Sequence, residues 1–523
     1  MKALLNIALF GTGKHPKLPI DPANELDALL TANQEQDSAE QLLLWAGSHA
    51  VYEQAGWLPS SGVSSPPPGP PSTKALRSVR LTQLLQQVMK TDQRELLREF
   101  LHTMQQEHIE LPYEVLPLAM ETTDREIRQL LQPLLGERGR WLSMFNPRWH
   151  WVNEGVVAIT SDDRVALRRA WEEGKLAQRS LALTVMRQTD AAEGRRWLEE
   201  TIPQEKADAR AQFLECLHHG LSLDDEPLLE KLLLDRSEGV RQLAAELLQQ
   251  LPASRLSERM KQRAEGMLQF RKTVIGAKVS CTPPEELPLD WQADGIPARV
   301  QAGKGKKAIW VEKVFSVVPV THWSKHFQTT PEKLLAAVAG DEFAQELVQG
   351  WTRALQVYPD TTAEMLQWTH ALWGHWLSRW QHDKKKSQET LNCMVAVLKL
   401  LPPQTAEQNV VPFLVPGRLH SDALLLMVDV LPRPWSPWFA SNYLQLARKE
   451  VKYGMIDKAF EWAKTLEIAC KAIPRTAFAE ALKPWDTART GAQSWTAKAL
   501  DQLIDRFVEV VALRQMFFEE LRR

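Results

Sequence analysis

The chain has 523 residues, 44% of them hydrophobic and 24% charged, which excludes wholesale disorder and leaves room for several domains or one extended solenoid. A formal net charge of −2 and a pI near 6.7 exclude a global electrostatic pull towards nucleic acid or an anionic membrane, although a local patch can hide in a neutral total. The four cysteines (Cys216, Cys281, Cys393 and Cys470) lie far apart with no C-x-x-C and read as free thiols of a reducing compartment. No apolar stretch approaches the roughly 18 residues needed to span a bilayer, so the expected location is cytoplasmic.

The start, MKALLNIALFGTGKHP, superficially resembles a signal peptide, but Asn6 interrupts the apolar run and no small-x-small site follows. An amphipathic first helix is the better reading. Residues 1–60 form an N-terminal helical segment, with one run at 38–56 ending near Gly56. The stretch 60–73, SSGVSSPPPGPPST, is a Pro/Gly/Ser linker that cannot hold a helix. Helical periodicity returns over 74–270. There, Thr123 and Glu126 around Asp124 are spaced as a capping box, Ile127, Leu130, Leu131, Leu134 and Leu135 mark one buried face, and Gly136 supplies a stop. Val240, Leu243, Ala244, Leu247, Leu248 and Leu251 repeat that spacing before Pro252.

The region also repeats itself. RSLALTVMR at Arg179, RAQFLECLH at Arg210 and RQLAAELLQ at Arg241 stand 31 residues apart, and Leu198, Leu229 and Met260 follow at the same interval. A helix pair of this length cannot bury its apolar stripe alone, so neighbours must stack. LLLDRSEGVRQLAAELLQQLP resembles a HEAT repeat, whereas the interval is short for one. From 271 to 329 Pro283-Pro284, Pro288, Pro297 and the Gly303–Gly305 turn loosen the pattern into an irregular or β-containing connector, and a C-terminal helical domain follows over 330–523. The predicted fold is therefore all-α, a helical-repeat (HEAT-like) solenoid with a short irregular or β-containing insertion near 274–325.

Chemistry-bearing motifs are sparse. Gly11-Thr12-Gly13-Lys14 and Gly303-Lys304-Gly305-Lys306 suggest phosphate loops, but Ala8 and Val300 replace the first glycine, and His15 and Lys307 the hydroxyl residue. His322 and His326 are four apart, which would align them on a helix, yet no H-E-x-x-H glutamate accompanies them; His370 and His375 fall on different faces, and His218 and His219 are adjacent. Surface or capping histidines are the preferred reading. No catalytic residue, cofactor or metal ligand is assigned, and a non-enzymatic protein is expected.

Two aromatic clusters remain. GERGRWLSMFNPRWHWV, residues 136–152, interleaves Arg138, Arg140 and Arg148 with Trp141, Phe145, Trp149 and Trp151. Such a pattern suits a tight inter-helix corner first, a protein-binding surface second, and stacking on unpaired bases third. Leu372, Trp373, Trp376, Leu377 and Trp380 fall on one helix face and read as core before partner anchor; the 20 tryptophans as a whole read as a core built with large rings. The candidate partner-binding residues are Arg138, Arg140, Trp141, Arg148, Trp149, Trp373, Trp376 and Trp380.

Several stretches together resemble the bacterial domain-of-unknown-function family 5691: ALFGTGKHP, the proline-rich linker, LLGERGRWLSMFNPRW, WQADGIP…GKGKKAIWVEKVFSVVPVTHW at 291–323, and the terminal LRQMFFEELRR. The resemblance implies a HEAT-like scaffold with no activity to carry over. It also implies partners, since such proteins tend to be encoded near MoxR-type AAA ATPases, von Willebrand factor A proteins and SWIM zinc-finger proteins. The functional expectation is a scaffold or adaptor binding protein partners through a helical-repeat surface, with a nucleic-acid-binding helical repeat or an enzyme with a dispersed site as alternatives.

Overall fold

Leucines and alanines at helical spacing, each stripe needing an apolar neighbour, dictate the architecture. In the computed structural model Val240, Ala244, Leu247 and Leu248 on the helix Glu238–Gln249 are fully buried, each large aliphatic contributing roughly 1.5–3 kcal/mol of burial. The structure describes residues 7–9, 25–31, 37–55, 69–72, 74–75, 78–91, 93–154, 164–274, 276–297, 305–414, 421–453, 455–486 and 495–522. The first glycine–lysine turn and most of the expected linker fall outside them. The fold is all-α, and among the described residues the sheet content is one two-stranded hairpin. No helix of the described residues is long and apolar enough to cross a membrane.

The chain divides into two compact units, residues 1–69 and 70–523. In the first, the helices Glu25–Thr31 and Ser38–Ala55 gather Ile7, Leu42 and Trp45 into a small core, and His49 Nε2 lies 2.7 Å from the buried Asp27 carboxylate.

The second unit contains the repeats. Helices beginning at Leu176, Ala207 and Glu238 stand 31 residues apart and are followed by second helices Ala191–Thr201, Glu226–Leu232 and Arg255–Met267; the first and third pack on the helix that follows, while the Ala207 helix and Glu226–Leu232 both pack on the Glu238 helix. Leu198, Leu229 and Met260 are all buried at equivalent positions of those second helices. The repeated arginines hold one hairpin to the next. Arg179 reaches Glu205 at 2.7 Å and Arg210 reaches Asp235 at 2.7 Å, while Arg241 donates to the Asp235 carbonyl at 2.7 Å. Inside the stack Arg187 and Asp225 form a fully buried pair at 2.8 Å. The remaining Arg187 N–H groups donate to the carbonyls of Ala191, His219 and Gly220. A buried charge pair is tolerable only with every donor satisfied in this way. Gly220 adopts φ +65° to present its carbonyl, and at Gly194 a Cβ would stand 2.8 Å from the Arg187 side chain.

The interior forms two clusters that do not follow chain order. Residues 167–256 have a core of their own, with Trp171 stacked on Trp197 at 5.7 Å. A larger core joins residues 81–152 to residues 260–518. The 27-residue helix Trp495–Leu521 makes that connection: Phe517 stacks on Phe100 at 3.8 Å, Arg514 pairs with Glu99 at 2.7 Å, and Ser78 donates to Glu520 at 2.6 Å. The Tyr358 hydroxyl, wedged between the carbonyls of Gln249 at 2.5 Å and Val317 at 2.7 Å, ties the end of the stack to the C-terminal helices. Burial pushes its phenol up to about 12.

The connector is more regular than its prolines suggest. Helix Arg255–Met267 runs straight into strand β1 (Leu268–Thr273), which pairs antiparallel with β2 (Gly276–Cys281) in the register Leu268↔Cys281. Helices Leu289–Ala293, Lys306–Phe315 and Val320–Phe327 follow. Trp310, Val311, Val314 and Phe315 supply a buried helical stripe that outweighs the nearby turn formers. Gly305 is the exposed N-cap of the helix that starts at Lys306, so the described part of the second glycine–lysine turn opens a helix. Upstream, Asp124 and not Thr123 caps its helix, accepting from the amides of Glu126 and Ile127.

Candidate functional site

The two aromatic clusters part company in space. Trp373, Trp376 and Trp380 lie on the helix Ala363–His382 and are 4%, 1% and 6% exposed, so as partner anchors they are corrected to core. The Trp376 indole donates to Thr352 Oγ1 at 2.9 Å, and the Lys386 ammonium sits over the Trp380 ring at 5.3 Å while donating to the Trp380 carbonyl. The helix is amphipathic with its rings inward, as the core reading of that face requires.

The corner at 136–152 is divided. Gly136, at φ +59°, breaks the chain between the 3-10 turn Gln132–Leu134 and the next helix, and a Cβ there would also collide with the Glu110 carboxylate. Helix Gly136–Ser143 then carries Arg138, Arg140 and Trp141. Asn146 accepts from the Arg148 amide at 3.0 Å and starts a short 3-10 turn, Pro147–Trp149. Two members of the cluster serve the fold: Trp151 is buried and donates to the Met120 carbonyl at 3.0 Å, and the Arg138 guanidinium lies 4.3 Å over the Tyr113 ring. Trp149 is half-buried and donates to Glu121 at 3.1 Å. Trp141 is half-buried and meets Phe145 edge-on at 5.0 Å. Arg140 and Arg148 are exposed. Met144 and Phe145, absent from the candidate set, are 64% and 51% exposed between them.

The structure also gathers a group that sequence reasoning missed. His322 and His326, on successive turns of Val320–Phe327, face Glu265 on Arg255–Met267. His322 Nε2 is 2.9 Å from Glu265 Oε1 and His326 Nδ1 is 3.7 Å from the same oxygen. The 2.9 Å approach lacks hydrogen-bond alignment, and Nε2 has no hydrogen-bond partner among the described residues. Burial holds the His322 imidazole below its ordinary pKa against the opposing pull of Glu265. One ligand atom from each of the three residues falls within 4.8 Å of the others, the spread of a candidate metal-binding group. Of the two histidines expected at the surface, His326 is exposed and His322 half-buried; the acidic partner comes from a different helix, and no local motif could announce it.

Three of the four thiols are not poised for nucleophilic chemistry. Cys216, Cys281 and Cys470 are buried and free. Desolvation pushes Cys216 up, Cys281 to about 12 and Cys470 to about 11, so they stay protonated and inert at neutral pH.

The model of a family of unknown function (DUF5691) matches residues 3–521, nearly the whole chain. The protein is a member of DUF5691. No protein of curated function matches the sequence. The matched range includes both the 136–149 corner and the segment carrying His322.

Proposed function

We propose that this DUF5691 protein is a non-enzymatic scaffold or adaptor that binds protein partners through its helical-repeat, HEAT-like surface, with the corner at 136–149 as a contact. One observation carries the reading: Met144 and Phe145 stand in solvent beside half-buried Trp141 and Trp149, between the exposed Arg140 and Arg148. Large apolar side chains grouped with arginine are the residue types that dominate binding energy at protein interfaces. Their chemistry suits a partner segment with an apolar anchor flanked by carboxylates. Family resemblance adds the candidates, a MoxR-type AAA ATPase or a von Willebrand factor A protein. A nucleic-acid reading draws less support, because Arg138 is spent on Tyr113 and Lys307 pairs with Glu285 at 2.7 Å.

The test mixes the purified full-length chain with each purified candidate. A complex at about 10 μM, roughly tenfold weaker or more with the M144A/F145A double variant, is the expected result. Absence of a complex with either class, or affinity indifferent to the double variant, overturns the proposal.

A further inference from the structure

We propose that Glu265, His322 and His326 form a binding site for one divalent transition-metal ion, Zn2+ by preference, which staples the last helix of the repeat stack to the last helix of the connector. Two imidazoles and a carboxylate are the donor set that suits zinc, with a fourth position left for water or a donor from outside the chain. The three donors come from two helices, and the chain reaches the second only after the β1–β2 hairpin and two further described helices, so an ion shared among them closes a long loop.

Three features separate this group from an incidental ion pair. First, both imidazoles address one oxygen, Glu265 Oε1, at 2.9 and 3.7 Å, and the shorter approach is off the line of a hydrogen bond. Two rings crowding one carboxylate oxygen without a hydrogen bond at the closer of them fit an ion placed between the three. Donors about 2.0–2.2 Å from a common centre stand roughly 3–3.5 Å apart in a tetrahedral site, which a spread within 4.8 Å reaches through small side-chain rotations. Second, the rings are held in place. His322 packs edge-on to Trp323 at 5.1 Å, His326 edge-on to Phe327 at 4.7 Å, and Phe270 of β1 stacks behind Phe327 at 5.2 Å. Third, the neighbouring cations are drawn aside: Lys261 lies 3.3 Å from Glu258 and Lys325 3.1 Å from Glu364. Glu265 is half-buried and His326 is 38% exposed at its side chain, so an ion has direct access from solvent.

The experiment uses the full-length protein stripped with chelator and titrated with ZnCl2, and in parallel with CoCl2, whose visible absorption intensifies in a four-coordinate site. Expected are one Zn2+ per chain at micromolar free metal, a thermal midpoint raised by the metal and lowered again by chelator, and a Co2+ spectrum of the four-coordinate kind. Each of E265Q, H322Q and H326Q should weaken binding about tenfold or more and lose the thermal response. H370Q, at an exposed histidine outside the group, should leave both unchanged. E265Q is nearly isosteric, and its metal-free melting curve shows whether the fold is kept. Binding that is substoichiometric, or that survives the H322Q/H326Q double variant, overturns the site. None of these readouts involves a protein partner, so failure here is separable from failure of the scaffold reading.

Discussion

The rings at Trp141, Phe145 and Trp149 are spaced four apart, and those at Trp373, Trp376 and Trp380 three and four apart, so both sets could line one face of a helix. The second set does: the helix Ala363–His382 runs unbroken for 20 residues and buries all three indoles. The first set does not, because Pro147 ends the regular helix, the chain turns at Met144 and Phe145, and Asn146 caps a separate 3-10 turn. A proline in a helix interior removes a hydrogen bond and clashes with the preceding turn, so the rings that continuity would have buried are left partly in solvent. Helix continuity, more than composition, separates core from surface here.

The difference can be broken at its buried end first. Trp376→Ala should cost about 3–5 kcal/mol, the range for a buried large-to-small change, read as a large shift in the urea midpoint. Loss under 1 kcal/mol would mean that the indole face is not core. Thr352→Val tests the same contact more gently. Thr352 accepts from the Trp376 indole at 2.9 Å and donates to the Val348 carbonyl at 2.8 Å. The isosteric valine leaves the indole N–H unsatisfied, and the expected loss is about 1–3 kcal/mol.

Much of this was legible where the relevant partner is close in sequence. The 31-residue interval shows in the sequence because its arginines reach only the loops on either side of their own helix, as Arg210 does to Asp235 and Arg241 to the Asp235 carbonyl. The closure of residues 81–152 on the C-terminal helix was not, since Glu99 and Arg514 are 415 positions apart and nothing in either neighbourhood specifies the other. The metal-type group failed for the same reason: His322 and His326 declare a helix spacing, but Glu265 belongs to another element. Met144 was passed over, and Phe145 was left out of the candidate set, because an apolar residue gives no sign of its exposure until the break at Pro147 is placed.

A subtler effect on the buried side is pH dependence. His375, half-buried next to Trp376 with ring centroids 5.2 Å apart, is pushed down to about 4, by burial first and then by Arg379. Its unfolded counterpart titrates near 6.5. Between those values the unfolded chain binds a proton that the folded chain refuses, so this group's contribution to stability is intact above pH 6.5 and declines as pH falls towards 4. Melting curves of His375→Gln should lose that part of the acid-side decline. Parallel curves for the two proteins would place the imidazole in solvent.

The smallest stability effect belongs to the exposed corner, and there smallness is the point. Phe145→Ala removes a ring that is 51% exposed and touches Trp141 edge-on. Substitutions at such surface positions usually stay within about 0.5 kcal/mol. Chemical denaturation of the single variant should therefore superimpose on the parent to that margin. A loss of 2 kcal/mol or more would show that Phe145 is covered in the folded chain, by residues of its own sequence or by a second copy. The corner would then join the tryptophan face as interior, and the distinction drawn from Pro147 would fail.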